Sequence, residues 1–278
     1  MMTTNDFTRL KNIRALLLDM DGTLWRGKSP MPDLALFFQF LKRREVAFTI
    51  ATNNSVEPAS TYQQRLASFG IEVSLENILT VSWATAAYLK TRLKAGASVY
   101  MIGQKGLQQE LEAAGFKVLP DSRHSADAVV VGGDPGLTYD KLKHATLLIQ
   151  RGAAFIGTNP DVVYPTEEGL APECGAILAA LQATTGVAPT IIGKPQPHLF
   201  QLGMQRMGSR SENTAMVGDR LETDIYGGKQ AGLTTILVTT GVDNEETIPV
   251  KGIQPDLVVH SLAELMTCWE QVQSQSSA

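Results

Sequence analysis

The sequence predicts an α/β fold with a doubly wound parallel sheet as its core and a second α/β unit inserted into it. Short apolar runs rich in β-branched residues alternate with longer helix-like stretches along the 278 residues, a pattern typical of strands alternating with helices. Hydrophobic residues make up 44% of the chain, enough for a substantial core. The runs outnumber the strands of one small doubly wound sheet. This excess predicts the inserted unit, although composition alone does not locate it.

The elements are predicted from hydrophobic periodicity and from helix-stop signals. Short apolar runs predict strands at Ala15–Leu18, Val46–Thr52, Ser98–Ile102, Ala128–Val131, Ala154–Gly157, Thr190–Gly193, Thr214–Gly218, Thr234–Thr239 and Leu257–His260. Longer stretches predict helices at Asp33–Arg44, Ala59–Phe69, Trp83–Leu93, Leu107–Ala114, Tyr139–Arg151, Gly175–Thr184 and His198–Met207. Four glycines after helical stretches are predicted helix stops: Gly70, Gly115, Gly186 and Gly232.

The charge balance and the cysteine count exclude several classes of protein. The chain has 24 Lys and Arg against 28 Asp and Glu, a net charge of −4, so no basic surplus indicates a nucleic-acid partner. Cys174 and Cys268 cannot form a disulfide framework and favour a reducing compartment. The N-terminus lacks the apolar core of a signal peptide, and no run approaches the ~20 apolar residues that span a bilayer. We therefore expect a soluble cytoplasmic protein with no membrane partner.

The most informative motif is Asp19-Met20-Asp21-Gly22-Thr23, directly after the first predicted strand. In open parallel α/β sheets, ligands bind at the carboxyl ends of the strands. Two acids there repel each other unless a cation lies between them, and a hard divalent metal suits oxygen ligands. An ordinary strand-to-turn junction is the structural alternative. A calcium-binding EF-hand loop is excluded, because its required Gly and Glu positions are occupied by Leu24 and Pro30.

Two further motifs stand at strand ends. Thr52-Asn53-Asn54-Ser55 follows the second predicted strand, where hydroxyl, amide and turn N–H groups can bind phosphate oxygens; ordinary turn chemistry before a helix is the alternative. Gly193-Lys194-Pro195 presents a lysine held by rigid neighbours, which suits an anionic ligand. Taken alone, a solvated surface lysine explains this motif equally well.

A fourth motif, Gly218-Asp219-Arg220-Leu221-Glu222-Thr223-Asp224, follows another apolar strand. Asp224 begins a predicted helix, and an acid at a helix N-terminus is favourable for structural reasons alone. Asp219 is harder to explain structurally, since it lies where the strand gives way to a loop. Together, the strand-end acids, hydroxyl and lysine indicate a site that holds a metal and a phosphoryl group.

In order and chemistry, the four motifs resemble those of the haloacid dehalogenase superfamily of phosphotransferases. Asp-x-Asp-Gly-Thr stands at 19–23, Thr-Asn at 52–53, Gly-Lys-Pro at 193–195 and Gly-Asp-x-x-x-Thr-Asp at 218–224. Local signatures at 51–55, 157–161 and 193–197 are similar to those of class IIA, the NagD and p-nitrophenyl phosphatase branch. The resemblance implies a Rossmann-like core domain at 1–81 and 188–278. It also implies an inserted α/β cap domain at 82–187, between the second and third motifs.

The resemblance also implies the chemical roles of the acidic residues. Asp19 is expected to be the nucleophile that forms an aspartyl-phosphate, and Asp21 to be the general acid and then the general base. Mg²⁺ is expected to bind the carboxylates of Asp19 and Asp219 and the backbone carbonyl of Asp21. Asp224 is expected to steady the metal shell through water or hydrogen bonds.

The remaining site residues follow from the same resemblance. Thr52 and Lys194 are expected to hold the phosphoryl oxygens, with Asn53 nearby. Arg26 lies where the superfamily has a mobile flap and is a candidate for contact with an anionic substrate. Independently of the resemblance, Cys174 would be reactive if it lay at a helix N-terminus, but a buried or inert cysteine is the expected state.

The chemistry of the residue types supports the same activity independently. A carboxylate nucleophile divides phosphoester hydrolysis into two easier steps. Phosphoryl transfer depends largely on positioning and on electrostatic stabilisation, which a metal and a lysine supply. A second carboxyl group can protonate the leaving oxygen and then activate water. A dehalogenase needs neither this second acid nor magnesium, so that branch is set aside.

We therefore expect a Mg²⁺-dependent phosphatase that hydrolyses a small-molecule phosphomonoester. Phosphoglycolate, sugar phosphates, nucleotide monophosphates and p-nitrophenyl phosphate-like compounds remain open as substrates, and a homodimer formed through the cap is an expectation from the resemblance. A phosphoacceptor receiver module and a catalytically silent binding protein on the same fold are the alternatives. The motif order and the chain length argue against the first, and the full set of acids against the second.

Overall fold

The fold was analysed in a computed structural model that describes residues 6–166 and 168–274. The described residues form two compact units. The first contains residues 6–52, 63–79 and 199–274, and the second contains residues 53–62 and 80–198 apart from residue 167. Each unit is built around its own parallel sheet.

Strands and helices alternate along most of the described chain. The strands are β1 (Ala15–Leu18), β2 (Trp25–Arg26), β3 (Ser29–Pro30), β4 (Ala47–Thr52), β5 (Ile78–Thr80), β6 (Ser98–Ile102), β7 (Lys117–Leu119), β8 (Ala128–Val131), β9 (Ala154–Gly157), β10 (Val163–Thr166), β11 (Gly169–Pro172), β12 (Thr190–Ile191), β13 (Thr214–Gly218), β14 (Thr234–Val238) and β15 (Leu257–Val259). The α-helices are α1 (Leu34–Arg43), α2 (Ala59–Ser68), α3 (Val81–Lys90), α4 (Lys105–Ala113), α5 (Tyr139–Gln150), α6 (Cys174–Thr185), α7 (Pro197–Met207), α8 (Tyr226–Gln230), α9 (Thr247–Lys251) and α10 (Leu262–Ser274). Short 3₁₀ turns lie at Phe7–Asn12, Leu75–Asn77 and Ser211–Asn213, and a π-helical turn at Leu221–Ile225.

The sheet of the first unit has the strand order β15-β14-β13-β1-β4-β5. β1 is parallel to both of its neighbours, with Ala15 opposite Thr214 of β13 and Ala47 of β4. All four residues of β1 are buried, as is typical of a central strand in a sheet covered on both faces. From β1 the chain continues to β4 on one side, whereas β13 continues to β14 and β15 on the other. The carboxyl ends of β1 and β13 therefore mark the topological switch point, where open α/β sheets bind ligands.

The sheet of the second unit has the strand order β12-β9-β8-β6-β7. Its described strand pairs are parallel. Helices α5 and α6 cover its core through side chains such as Leu148 and Leu178, which pack with Tyr100, Val129 and Phe155 of the strands. β10 and β11 form an antiparallel hairpin.

The predicted α/β class and its parallel sheets are confirmed. Strands β1, β6, β8, β9 and β13 occupy the predicted residues, and the four predicted glycine stops all have positive φ. The sequence pattern does not predict β5, β7 or α10. The division into a core domain at 1–81 and 188–278 and a cap at 82–187 stays a prediction. Within the ranges that the structure describes, no helix combines the length and apolar character needed to cross a bilayer.

Candidate active site

Two of the predicted site acids lie at the switch point of the first unit. Asp19 directly follows β1, and its backbone N–H donates to the carbonyl of Val217 in β13 at 2.9 Å. Asp219 directly follows β13. The parallel pairing of β1 and β13 therefore joins two acids that are far apart in the sequence.

A third acid completes a cluster of carboxylates. One carboxylate oxygen from each of Asp19, Asp219 and Asp224 lies within 4.8 Å of the others. Asp219 and Asp224 are each only 1% exposed, so water screens their mutual repulsion poorly. Hard oxygen ligands gathered in this way fit a divalent cation such as Mg²⁺.

Glycines make room for the carboxylate of Asp219. A Cβ atom added to Gly241 would lie 1.8 Å from Asp219 Oδ2, and one added to Gly22 would lie 2.3 Å from the same atom. Gly22 also has a φ of +90°, which L-residues rarely adopt. A Cβ added to Gly218 would likewise meet the Asp224 side chain at 2.4 Å. The glycines of the Asp-Gly and Gly-Asp motifs are therefore required by the close approach of these carboxylates.

Asp219 and Asp224 also accept hydrogen bonds from backbone N–H groups. Asp219 Oδ2 accepts from Val242 N at 2.7 Å, and Asp224 Oδ2 accepts from Arg220 N at 3.1 Å. Each bond fixes the position of one carboxylate oxygen. These contacts hold the two side chains in defined orientations.

Asp21 is exposed, and its carboxylate lies outside the three-acid cluster. Its Oδ1 accepts a hydrogen bond from Trp25 Nε1 at 2.8 Å. The Trp25 ring is fully buried, and the Arg65 guanidinium lies 4.5 Å from its centroid. The hydrogen bond from Trp25 thus connects Asp21, the predicted general acid, to a packed interior.

Arg26, the candidate contact for an anionic substrate, donates to the backbone carbonyl of Thr240.

Thr52 is the last residue of β4, the neighbour of β1, and is 2% exposed. Because Ile50 pairs with Leu18 at the end of β1, Thr52 and the first motif emerge from the same edge of the sheet. This placement agrees with the carboxyl-end location expected for ligand-binding residues in such sheets.

Asn53 and Lys194 come together in the second unit. The Lys194 N–H donates to Asn53 Oδ1 at 2.8 Å, and Asn53 Nδ2 donates to the Lys194 carbonyl at 2.9 Å. Asn53 Nδ2 also donates to Asp161 Oδ2 at 3.1 Å. Lys194 is 1% exposed. The Asn53 amide thus holds the backbone of Lys194, a positioning role that its place in the motif does not reveal.

Two residues outside the carboxylate cluster are Cys174, which is expected to be buried and inert, and His198. Cys174 begins α6 and is fully buried, and burial raises the pKa of its thiol to about 12. His198 packs against Tyr88, with ring centroids 5.1 Å apart. Burial, followed by the charge of Arg92, lowers the pKa of His198.

Sequence reasoning missed Asp243, which is 2% exposed. Its N–H donates to the Asp219 carbonyl at 3.0 Å, and its Oδ2 accepts from Leu221 N at 2.8 Å. One available signal was that an acid follows shortly after the predicted strand Thr234–Thr239, as Asp19 and Asp219 follow their strands. That signal does not reveal either contact.

Two family models match the chain. A model described as haloacid dehalogenase-like hydrolase matches residues 16–117, and one described as HAD-hydrolase-like matches residues 191–265. The chain is 37% identical to a dihydroxyacetone phosphatase of Corynebacterium glutamicum, covering 91% of each protein. It is 38% identical to the 5'-nucleotidase YutF of Bacillus subtilis, covering 92% of this chain and 98% of the relative. An acid sugar phosphatase of Staphylococcus haemolyticus is also 38% identical, over 88% of this chain and 92% of the relative.

Solved structures agree with these matches. The structure of a 4-nitrophenylphosphatase from Thermotoga maritima superposes with a TM-score of 0.88 at 36% identity, covering 93% of this chain and 98% of that one. NagD from Escherichia coli K-12 gives a TM-score of 0.83 at 32% identity, with 91% and 98% covered. A glycerol phosphate phosphatase from Mycobacterium tuberculosis in complex with magnesium gives 0.84 at 32% identity, with 92% and 77% covered.

Fold, motifs and relatives define the class: the chain belongs to the haloacid dehalogenase-like hydrolases. Within them it falls in class IIA, with NagD and the p-nitrophenyl phosphatases. It is a phosphatase of small phosphoesters. The family membership sets aside the receiver module, and the relatives named as phosphatases set aside the silent binding protein.

Proposed function

We propose that this phosphatase hydrolyses its phosphomonoester through an aspartyl-phosphate on Asp19 and depends on Mg²⁺. One observation carries the proposal. Asp19, Asp219 and Asp224 meet within 4.8 Å at the switch point of the sheet. Only Asp19 of the three is partly exposed, as a nucleophile that must reach a phosphorus atom needs to be.

The carboxylates of Asp19 and Asp219 and the backbone carbonyl of Asp21 are the proposed magnesium ligands. Asp224 steadies this shell from its buried position. The glycine-lined space around Asp219 and the all-oxygen donor set fit a hard cation. Bound there, magnesium supplies positive charge that offsets the negative charge of the phosphoryl group. The glycerol phosphate phosphatase structure in complex with magnesium supports this choice of ion.

The proposed reaction has two steps on this chain's own carboxylates. In the first, an Asp19 oxygen bonds to phosphorus while the ester P–O bond breaks, and Asp21 gives its proton to the leaving oxygen. In the second, Asp21 takes a proton from water, the water oxygen bonds to phosphorus, and the bond to Asp19 breaks. The hydrogen bond from Trp25 to Asp21 orients the group that carries this proton.

Thr52 and Lys194 are proposed to hold the phosphoryl oxygens, with Asn53 nearby. This proposal is supported by the order of the motifs. Within the second unit, Asn53 fixes the backbone of Lys194 from both sides of its amide. A lysine with a fixed backbone loses less conformational freedom when it binds an anion.

The substrate is proposed to be a small phosphomonoester of the kind that the relatives are named for. Those names are dihydroxyacetone phosphatase, acid sugar phosphatase, 5'-nucleotidase, glycerol phosphate phosphatase and p-nitrophenyl phosphatase. A homodimer remains a separate prediction, which light scattering on the purified protein would test.

A phosphate-release screen over these compounds, with magnesium and with a chelator, tests the proposal. We expect release that requires magnesium and that disappears in Asp19→Asn, a variant of nearly unchanged volume. Circular dichroism would show that the variant is folded. Normal turnover by a folded Asp19→Asn variant would refute the nucleophile, and full activity in chelator would refute the metal.

A further inference from the structure

The loop that follows β14 surrounds Asp219. Val242 N donates to Asp219 Oδ2 at 2.7 Å, and Asp243 N donates to the Asp219 carbonyl at 3.0 Å. Thr240 Oγ1 donates to the Gly22 carbonyl at 2.7 Å. One loop therefore holds both the side chain and the backbone of Asp219 and also contacts the first motif.

The side chain of Asp243 extends this connection to the segment that carries Asp224. Asp243 Oδ2 accepts from Leu221 N at 2.8 Å, and Leu221 begins the π-helical turn Leu221–Ile225. Asp243 thus binds Asp219 through its backbone and the Asp224 segment through its carboxylate. Among the residues that the structure describes, Asp243 is not a member of the cluster of Asp19, Asp219 and Asp224.

Lys251 compensates the buried charge of Asp243. Its Nζ lies 2.8 Å from Asp243 Oδ1 and 2.6 Å from Glu222 Oε2. Burial lowers the pKa of Lys251, but its hydrogen bonds to Asp243 and Glu222 outweigh that effect and the net direction is upward. Lys251 therefore stays charged at neutral pH, and a buried carboxylate paired in this way is not left uncompensated.

We infer that Asp243, paired with Lys251, is a positioning residue that fixes the carboxylates of Asp219 and Asp224 relative to each other for metal binding. This inference rests on the proposed magnesium role. Three carboxylates held close together repel one another, so without restraint they would move apart and would have to be drawn back when the cation binds. Groups that orient ligands from behind reduce this cost and raise metal affinity.

The test is magnesium titration of the metal-free full chain by isothermal calorimetry, comparing the unaltered protein with Asp243→Asn. Asparagine keeps the volume and one acceptor oxygen but loses the charge that pairs with Lys251. We expect magnesium to bind roughly 10–100-fold more weakly, the range typical for residues that orient metal ligands. In turnover assays, excess magnesium should restore kcat, while KM for the phosphomonoester changes little.

Asp256→Asn is the matched control in the same unit. Asp256 also accepts from a backbone N–H, that of Thr235 at 2.9 Å, and also pairs with cations, Arg9 at 3.3 Å and Lys229 at 3.5 Å. We expect this variant to lose stability while its magnesium affinity stays unchanged. The comparison separates positioning of the metal ligands from general destabilisation.

Lys251→Met provides a second variant that keeps the contact between Asp243 and Leu221. We expect a smaller loss of magnesium affinity than in Asp243→Asn, and this variant decides the matter if Asp243→Asn fails to fold. Magnesium affinity equal to that of the unaltered protein in the folded variants would overturn the positioning role and leave the proposed function intact. Failure of the unaltered protein itself to bind magnesium would overturn both.

Discussion

At the residue scale, Trp25 connects the exposed Asp21 to the interior of the first unit. Its indole N–H donates to Asp21 Oδ1 at 2.8 Å, and its ring lies under the guanidinium of Arg65. An exposed carboxylate would otherwise sample several rotamers. The tryptophan therefore restricts the orientation of the Asp21 carboxylate, the proposed general acid.

Trp25→Phe tests this restriction, because phenylalanine fills most of the ring volume but cannot donate to Asp21. We expect kcat on an alkyl phosphomonoester to fall about tenfold, a part of the 10²–10⁴-fold that general acid catalysis typically contributes. Turnover of p-nitrophenyl phosphate should fall much less, since its leaving group needs little protonation. Steady-state kinetics on both substrates provides the measurement.

Trp269→Phe is the matched control for that substitution. Trp269 is also fully buried in the first unit, and its Nε1 has no hydrogen-bond partner among the described residues. It should leave the ratio of the two rates unchanged. An equal fall in both rates for Trp25→Phe would show that Trp25 acts only by packing.

The raised pKa of the Cys174 thiol predicts a loss of folding stability at alkaline pH. Burial raises the pKa of its thiol from 9.0 to about 12. Above pH 9.0 the unfolded chain therefore releases this proton while the folded chain retains it, so the free energy of unfolding falls by about 1.4 kcal/mol per pH unit. Stability from this group is complete below pH 9.0 and is lost as the pH rises toward the folded pKa. Urea unfolding of Cys174→Ala should show a shallower alkaline slope; an unchanged slope would contradict the assignment.

Two acids of the candidate site could be predicted because each stands directly after an apolar strand. Asp19 and Asp219 can be predicted in this way, since the ligand-binding edge of a parallel sheet lies where its strands end. The role proposed for Asp243 cannot be predicted from the sequence, because it depends on a contact with Leu221 that only the folded loop creates. Asn53 was placed near the phosphate from its motif, whereas its bonds to the Lys194 backbone require the fold.

At the scale of elements, the loop after β14 fits closely around Asp219. Gly241→Ala would place a methyl group 1.8 Å from Asp219 Oδ2 if nothing moved. We expect the carboxylate to be displaced, with a loss of about 1–3 kcal/mol in stability and weaker magnesium binding. Denaturant unfolding and calorimetric titration provide the two measurements.

Gly136→Ala is the control for the added methyl group. Its nearest neighbour would be Asp134 Oδ1 at 3.4 Å, an ordinary contact distance. This variant should bind magnesium as the unaltered protein does. Unchanged affinity in Gly241→Ala would show that the loop yields without moving Asp219.

Element prediction succeeded for strands that are continuous apolar runs. β1, β8 and β13 are buried apolar runs and match their predicted bounds. β5 and β7 contain only three residues each, too few for alternation to be recognised. Helix α10 did carry a signal, since its buried residues Leu262, Leu265, Trp269 and Val272 recur at helical spacing.

At the scale of the whole molecule, the carboxylate cluster would couple binding of the proposed magnesium ion to folding stability. The unfolded chain does not hold Asp19, Asp219 and Asp224 together, so the ion would bind the folded chain preferentially. At a magnesium concentration of 100 times Kd, the folded state would gain about 2.7 kcal/mol. Thermal unfolding with magnesium and with a chelator should show this increase in Tm.

Asp219→Asn should abolish the magnesium-dependent rise in Tm. In chelator the variant should be at least as stable as the unaltered protein, because one of three mutually repelling charges has been removed. A magnesium response of normal size in this variant would contradict the assignment of Asp219 as a ligand. Calcium accepts more flexible oxygen coordination than magnesium. The rise in Tm with calcium should therefore be measured beside the rise in Tm with magnesium.

The pairing of β1 with β13 also determines when the enzyme can first exist during its synthesis. Ala15 pairs with Thr214, so an apolar strand leaves the ribosome long before one of its two neighbours has been made. At the usual 5–20 residues per second, that interval lasts roughly 10–40 s. The strand that precedes Asp19 therefore waits, with one edge open to mispairing, until nearly the last quarter of the chain arrives. The cluster of Asp19, Asp219 and Asp224 can assemble only then, together with the completed sheet.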